Sequence, residues 1–160
     1  MTAFLDTGAL YGALDRSDEH HADAISVVYH ALKGKWGRVY TSNYVEVETT
    51  LLLGSRLGRA AARAVPPFLA KSGFKELVVD EETHSKAVEL FDGDERLSLT
   101  DASTVLLMKV VGAKTVISFD GRSLGGRDFE VKGAGYWESL TVAEKADVKA
   151  LEGSKLGVLP

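Results

Sequence analysis

A chain of 160 residues that is 45% apolar, with no long Pro, Gly or Ser linker, is sized for one domain with a full core and leaves no room for a second. The absence of cysteine excludes a disulfide framework and any thiolate zinc site, so packing holds the fold and an intracellular, cytoplasmic protein is expected. No apolar run nears the ~20 residues that cross a bilayer, the start Met1-Thr2-Ala3-Phe4 lacks the basic residues of a signal peptide, and the net charge of −4 weighs against a simple polyanion binder.

The charges are unevenly placed. Between Leu51 and Val79, Arg56, Arg59, Arg63, Lys71 and Lys75 are opposed only by Glu76. From Asp80 to Asp101 the balance reverses, with Lys86 and Arg96 alone against a run of acids that includes Glu81, Glu82, Asp94 and Asp101. A basic face beside an acidic centre suits a metal-dependent enzyme acting on a polyanion, because cations neutralise the centre while Arg and Lys hold phosphates. Two ordinary solvated surfaces are the alternative.

Residues 2–5 read as a buried strand that stops at Asp6-Thr7-Gly8, a turn, before a brief helix over 9–14. Ser17 or Asp18 caps a helix from about 19 to 32, with Ala22, Ile25, Val28, Tyr29 and Leu32 as its apolar stripe. After a turn at 34–37, residues 38–41 form a second strand, and Ser42 or Asn43 caps a helix to about Leu57. In that helix Glu48 has Tyr44, Val45, Leu51 and Leu52 three or four positions away, whereas Glu46 has Asn43, Thr49 and Thr50. The 3.6-residue period therefore predicts Glu48 toward the core and Glu46 toward water. A carboxylate so buried needs a proton, a cation or a metal.

Residues 58–65 look helical, and Pro66-Pro67 interrupts or kinks the run. Residues 74–79 alternate as a third strand, Asp80 or Glu81 opens a helix to about Phe91, and 92–96 is a charged surface loop. The next helix, 97–108, is nearly all apolar except for Asp101 in its first turn, where Thr100 can cap it and the free N–H groups favour a negative charge. Gly112 ends that helix, and 114–119 is the clearest strand, stopping at Asp120. A Gly-rich loop runs to Asp128, then a short edge strand over 129–131, a helical pattern from about Thr141 and a tail at 156–160.

Strands separated by helices imply an α/β domain around a mostly parallel sheet, whose ligands sit beyond the strands' carboxyl ends. Asp6 and Asp120 end strands, and the helix mouth carrying Asp101 belongs on the same rim. An all-oxygen cluster of this kind suits Mg²⁺ or Mn²⁺, which lowers the pKa of a water nucleophile and neutralises a phosphodiester. His20 and His21 are adjacent, point about 100° apart and have no third partner, which argues against a histidine metal site. Trp36 and Tyr40, flanked by Lys35 and Arg38, either stack on bases or pack in the core, and packing is the simpler expectation.

Five motifs occur in a fixed order: Phe4-Leu5-Asp6-Thr7-Gly8-Ala9-Leu10; Asp18-Glu19-His20-His21-Ala22; Thr41-Ser42 with Glu48 six residues on; Leu97-Ser98-Leu99-Thr100-Asp101-Ala102; and Ile117-Ser118-Phe119-Asp120. Together they resemble the PIN-domain nucleases, and within them the ribonuclease toxins of the VapBC type. The resemblance implies a three-layer α/β/α fold with a central, mostly parallel sheet of four to five strands. It assigns residues 1–137 to a PIN domain and leaves 138–160 as a C-terminal extension, partly helical or flexible. It further implies that Asp6, Glu48, Asp101 and Asp120 bind one or two Mg²⁺ or Mn²⁺ ions, with Thr7, Thr100 and Ser118 supporting them. RNA would be the substrate, a small VapB-like antitoxin the partner, and a homodimer the assembly. A non-catalytic PIN-like RNA-binding or scaffold module is the competing reading, and the presence of all four acids favours the endoribonuclease.

Overall fold

In the computed structural model, which describes residues 1–153, the short apolar runs pair as one five-stranded, all-parallel sheet in the order β3-β2-β1-β4-β5. The strands are β1 (Thr2–Leu5), β2 (Arg38–Ser42), β3 (Lys75–Leu77), β4 (Thr115–Ile117) and β5 (Glu130–Lys132). Phe4 lies opposite Tyr40 on one side and Val116 on the other, so β1 is central. Ala3, Phe4, Leu5, Val116 and Ile117 are wholly buried, as expected of parallel strands covered on both faces. Helices on the two faces complete the three-layer α/β/α arrangement anticipated from the sequence.

The chain turns from β1 straight into α1 (Thr7–Leu14), so the expected turn at residues 6–8 is instead a helix N-terminus. Asp6 is the extended residue before it, its carbonyl accepting from the Leu10 N–H while its own N–H donates to the Ile117 carbonyl. After α1, the Asp18 carboxylate accepts from the His20 N–H, and α2 runs over His21–Leu32. Ser42 proves to be the cap of α3 (Asn43–Leu57), its hydroxyl accepting from Val45 N–H at 3.2 Å. Asn43 does something else: its side-chain oxygen accepts from Val79 N–H at 2.8 Å and ties the start of α3 to the exit of β3.

Two short helices follow, α4 (Arg59–Ala62) and α5 (Val65–Ser72). Pro66 and Pro67 fall in the first turn of α5, where a missing N–H costs nothing, so they open a helix and do not break one. Asp80 caps α6 (Glu81–Gly93), and α7 spans Leu99–Val111, ended by Gly112 in the left-handed conformation. The stretch read as a Gly-rich loop holds a one-turn helix, α8 (Gly121–Leu124), capped by Asp120, and the last strand starts one residue later than expected.

The sequence reading missed α9 (Tyr136–Ser139), which exists because the Asp23 carboxylate on α2 accepts from the N–H groups of Gly135 and Trp137 at 2.9 and 2.7 Å. Beyond it α10 (Val142–Gly153) packs on α2 with Val148 fully buried, and Lys145 and Lys149 lie over the Trp137 ring. This part of the C-terminal stretch is helical and shares the core. The expected tail at 156–160 lies outside the described residues. Trp36 is buried 5.8 Å from the Tyr136 ring, so packing is its role. Among the described residues no helix is long and apolar enough to cross a membrane.

Candidate active site

The carboxyl edge of the sheet receives acids from four elements: Asp6 from the end of β1, Glu48 from the second turn of α3, Asp101 from the first turn of α7 and Asp120 from just past β4. Each is held by a hydroxyl or backbone donor close by. Ser118 donates to Asp6 Oδ2 at 2.8 Å and accepts from the Asp120 N–H at 3.0 Å, so one hydroxyl links two of the acids. Thr7 donates to Glu48 Oε2 at 2.6 Å, joining α1 to α3 across 41 positions of sequence. Ser123 donates to both oxygens of Asp120, from its N–H at 2.8 Å and its hydroxyl at 2.6 Å.

Asp101 sits in a reciprocal capping box: its N–H donates to Ser98 Oγ at 3.0 Å, and its Oδ2 accepts from the Ser98 N–H at 2.8 Å. The cap of α7 is therefore Ser98. Thr100, expected in that place, instead lines an open groove of about 400 Å³ with Tyr44, Val47, Glu48, Leu51 and Leu99.

The burial of the two glutamates differs from expectation. Glu48 is half-buried and borders the groove, because Leu51, expected on the core side, is 67% exposed, as is the adjacent Val47 at 58%. Glu46 is also half-buried; loss of water and the neighbouring Glu76 raise its carboxyl above the ordinary range. The covered stripe of α3 runs through Val45, Thr49 and Leu53, so the helical period misplaced it by setting Thr49 on the water-facing side with Glu46.

The electrostatics connect the acids. The Asp6 carboxyl is pushed up from 3.8 to about 7, first by burial, then by the charge of Asp101 and, more weakly, of Glu48, against the lowering effect of Ser118 and the Thr7 N–H. Burial also raises Asp101; the Ser98 donors oppose this, the charge of Asp120 adds to it, and Arg127 counteracts it. Asp6 thus senses Asp101 and Glu48, and Asp101 senses Asp120.

Among the described residues no group of three or more His, Cys, Asp or Glu side chains is arranged to hold a metal ion. The donor chemistry nevertheless fits a hard cation. Asp6 Oδ1 is buried without a hydrogen-bond partner, the donors are all oxygens, and acids that raise one another's proton affinity equally favour a cation. The histidines are engaged elsewhere, His20 stacked on Phe119 at 4.8 Å and His21 Nδ1 2.7 Å from the Gly12 carbonyl oxygen.

Four residues around this edge escaped the sequence reading. Ser98 and Ser123 each stand three positions from an acid, a spacing that signals a cap. Asp94, read as part of a solvated loop, is largely buried between Arg96 and Arg127, whose guanidinium groups hold its carboxyl well below the usual carboxylate range. Arg127 had no local signal, since its partner lies 33 residues earlier.

Fold and edge together define an α/β/α domain with an all-oxygen acidic centre beyond the strand ends, braced by short hydroxyl side chains. The chain belongs to the PIN-domain family, whose model matches residues 3–125. It is 32% identical over 155 residues to a VapC ribonuclease of Archaeoglobus fulgidus, covering 94% of this chain and 95% of that protein. Among solved structures it is similar to Mycobacterium tuberculosis VapC20, described as a sarcin–ricin loop cleaving toxin, with 28% identity and a TM-score of 0.70 over 81% of this chain and 98% of that one. PAE2754 of Pyrobaculum aerophilum shares the fold at 18% identity, with a TM-score of 0.52 over 96% of this chain and 97% of that one.

Proposed function

We propose that this PIN-domain protein is a Mg²⁺- or Mn²⁺-dependent endoribonuclease and the toxin of a type II toxin–antitoxin pair, acting in the cytoplasm and silenced by a small VapB-like antitoxin. The observation that carries the reading is Asp6: a buried carboxyl raised to about 7 by its surroundings, with one oxygen unpartnered and two further acids acting on it. The VapC relatives supply the reaction class, RNA cleavage.

Asp6, Glu48, Asp101 and Asp120 would hold the cation. When bound, it supplies a Lewis acid that makes water a stronger nucleophile at neutral pH and offsets charge on the phosphodiester. The chain's own part is to keep the oxygens in place. Ser118 engages Asp6 Oδ2 and leaves Oδ1 free, Thr7 holds Glu48 at the rim, the Ser98 box fixes Asp101, and Ser123 clamps Asp120. A proton on Asp6 near neutral pH competes with cation binding, so activity should rise with pH through that range.

A non-catalytic scaffold would gain nothing from burying a carboxyl whose ionisation the fold opposes. The exposed Val47 and Leu51 on α3 support the homodimer as the assembly, since a second copy would cover an apolar face beside the site. The test is cleavage of a sarcin–ricin-loop RNA by the purified protein with Mg²⁺, Mn²⁺ or EDTA, alongside Asp101→Asn. Metal-dependent cleavage that is lost in a folded Asp101→Asn protein supports the proposal; equal activity of the variant rejects the site.

A further inference from the structure

Asp101 and Asp120 reach the edge on separate elements, and an ion pair joins the cradles that hold them. Arg127 Nη2 donates to Asp94 Oδ2, and Arg127 Nε donates to the Ser123 carbonyl at 3.1 Å. Ser123 is the residue whose N–H and hydroxyl grip Asp120. At the other end, Asp94 shapes the turn into α7: its Oδ1 accepts from the Arg96 N–H at 3.1 Å and its carbonyl from the Leu97 N–H at 3.1 Å, one residue before Ser98 and the capping box of Asp101.

A continuous chain of hydrogen bonds and one covalent turn therefore runs from Asp120 through Ser123, Arg127 and Asp94 to Ser98 and Asp101. The surface pair Lys86–Glu82 lies within one helix, its side chains 59% and 77% exposed. Arg127 and Asp94 are 18% and 17% exposed, and they lock parts of the fold 33 positions apart. Partly covered and held by four donors at Asp94, this pair is screened less than a surface pair. Arg127 also places a positive charge where Asp101 senses it.

We infer that Arg127, held by Asp94, is a positioning residue that fixes Asp120 relative to Asp101 and so sets the geometry of the acidic centre. The inference rests on the proposed nuclease reading for its effect on activity, but its structural core is independent of that reading. A planar guanidinium can serve Asp94 and the Ser123 carbonyl at once; an ammonium keeps the charge without that fork. Removing the fork frees α8 to rotate about the end of β4 and carry Asp120 with it.

The experiment compares wild type with Arg127→Met, Arg127→Lys and Asp94→Asn by thermal unfolding, by hydrogen exchange at the Ser123 amide, by calorimetric titration with Mn²⁺ alone, and by RNA cleavage with kcat and KM separated. In folded Arg127→Met, Ser123 exchange should quicken about tenfold, Mn²⁺ affinity should fall about tenfold and kcat should fall ~10–100-fold with KM nearly unchanged, the range seen when partners of metal-binding side chains are removed. Arg127→Lys should recover part of each loss and Asp94→Asn should resemble Arg127→Met. Unchanged Ser123 exchange and Mn²⁺ affinity in Arg127→Met overturn the inference. A rise in KM alone also overturns it, since Arg127 would then be contacting RNA directly. Should the wild-type protein neither bind Mn²⁺ nor cleave RNA, the nuclease reading fails, while the Ser123 exchange still decides whether Arg127 positions Asp120.

Discussion

Replacing Asp6 by Asn should stabilise the protein at neutral pH in EDTA, although Asp6 is buried and accepts a hydrogen bond from Ser118. The Asp6 carboxyl is raised from 3.8 to about 7, and each unit corresponds to about 1.4 kcal/mol, so ionised Asp6 costs the fold on the order of 4 kcal/mol. The folded state holds this proton between the two values while the unfolded state has lost it. Stability is therefore complete below the unfolded value near 3.8, falls as pH rises toward about 7, and levels off above. Asn removes that slope. Its amide must still be accommodated beside Ser118, and one unsatisfied buried group costs about 1–3 kcal/mol, which leaves a net gain of about 1–3 kcal/mol above pH 7. Asp101 is raised too and contributes a slope of the same sign; because the two carboxyls interact, the difference between the proteins reports Asp6 together with its coupling to Asp101. Urea unfolding of both proteins across the acid-to-neutral range gives the two curves, which should converge or cross in acid. Equal pH slopes, or an Asn variant less stable than wild type above pH 7, would refute the reasoning. Adding Mn²⁺ at neutral pH should stabilise wild type, because an ion that binds only the folded state shifts the equilibrium by mass action, and should stabilise Asp6→Asn much less.

Thr7→Val keeps the shape of the side chain but removes the donor to Glu48; unfolding free energy should change by less than about 1 kcal/mol while the RNA cleavage rate falls about tenfold or more. Gly133→Ala places a methyl carbon 2.1 Å from the Ser118 carbonyl oxygen, so β4 and the loop after β5 must part. Denaturant unfolding should report a loss of about 2–3 kcal/mol, with weakened Mn²⁺ binding, because the displaced residue carries the hydroxyl that serves Asp6. Truncation after Leu140 strips Val148 and the two lysines from α2 and Trp137. If the domain extends through α10, as we propose, the shortened protein loses about 2–4 kcal/mol by the area of apolar surface uncovered. A truncated chain with unchanged thermal midpoint would instead support a domain ending near residue 137.

What could be read from sequence was what local chemistry decides. The α/β alternation, the strand end at Asp6 and the long helices after Ser42 and Asp80 follow from short-range patterns, and the sheet places them as those patterns require, whereas β4 closes at Ile117, two residues short of its expected end before Asp120. The errors arise where a partner is distant. The α3 period could not separate a covered apolar face from the open groove that exposes Leu51, and nothing near Asp94 announces Arg127. Likewise α9 owes its place to Asp23, more than a hundred positions earlier. The candidate site divides along the same line. Ser98 with Asp101, and Asp120 with Ser123, are the same device in mirror order: an acid and a hydroxyl three residues apart at the mouth of a helix. The hydrogen bonds that start α7 and α8 are therefore the ones that aim two of the carboxylates, so helix formation and presentation of the acids cannot be selected separately there. Asp6 and Glu48 are aimed by Ser118 and Thr7, from another strand and another helix, and their geometry exists only once the sheet has closed.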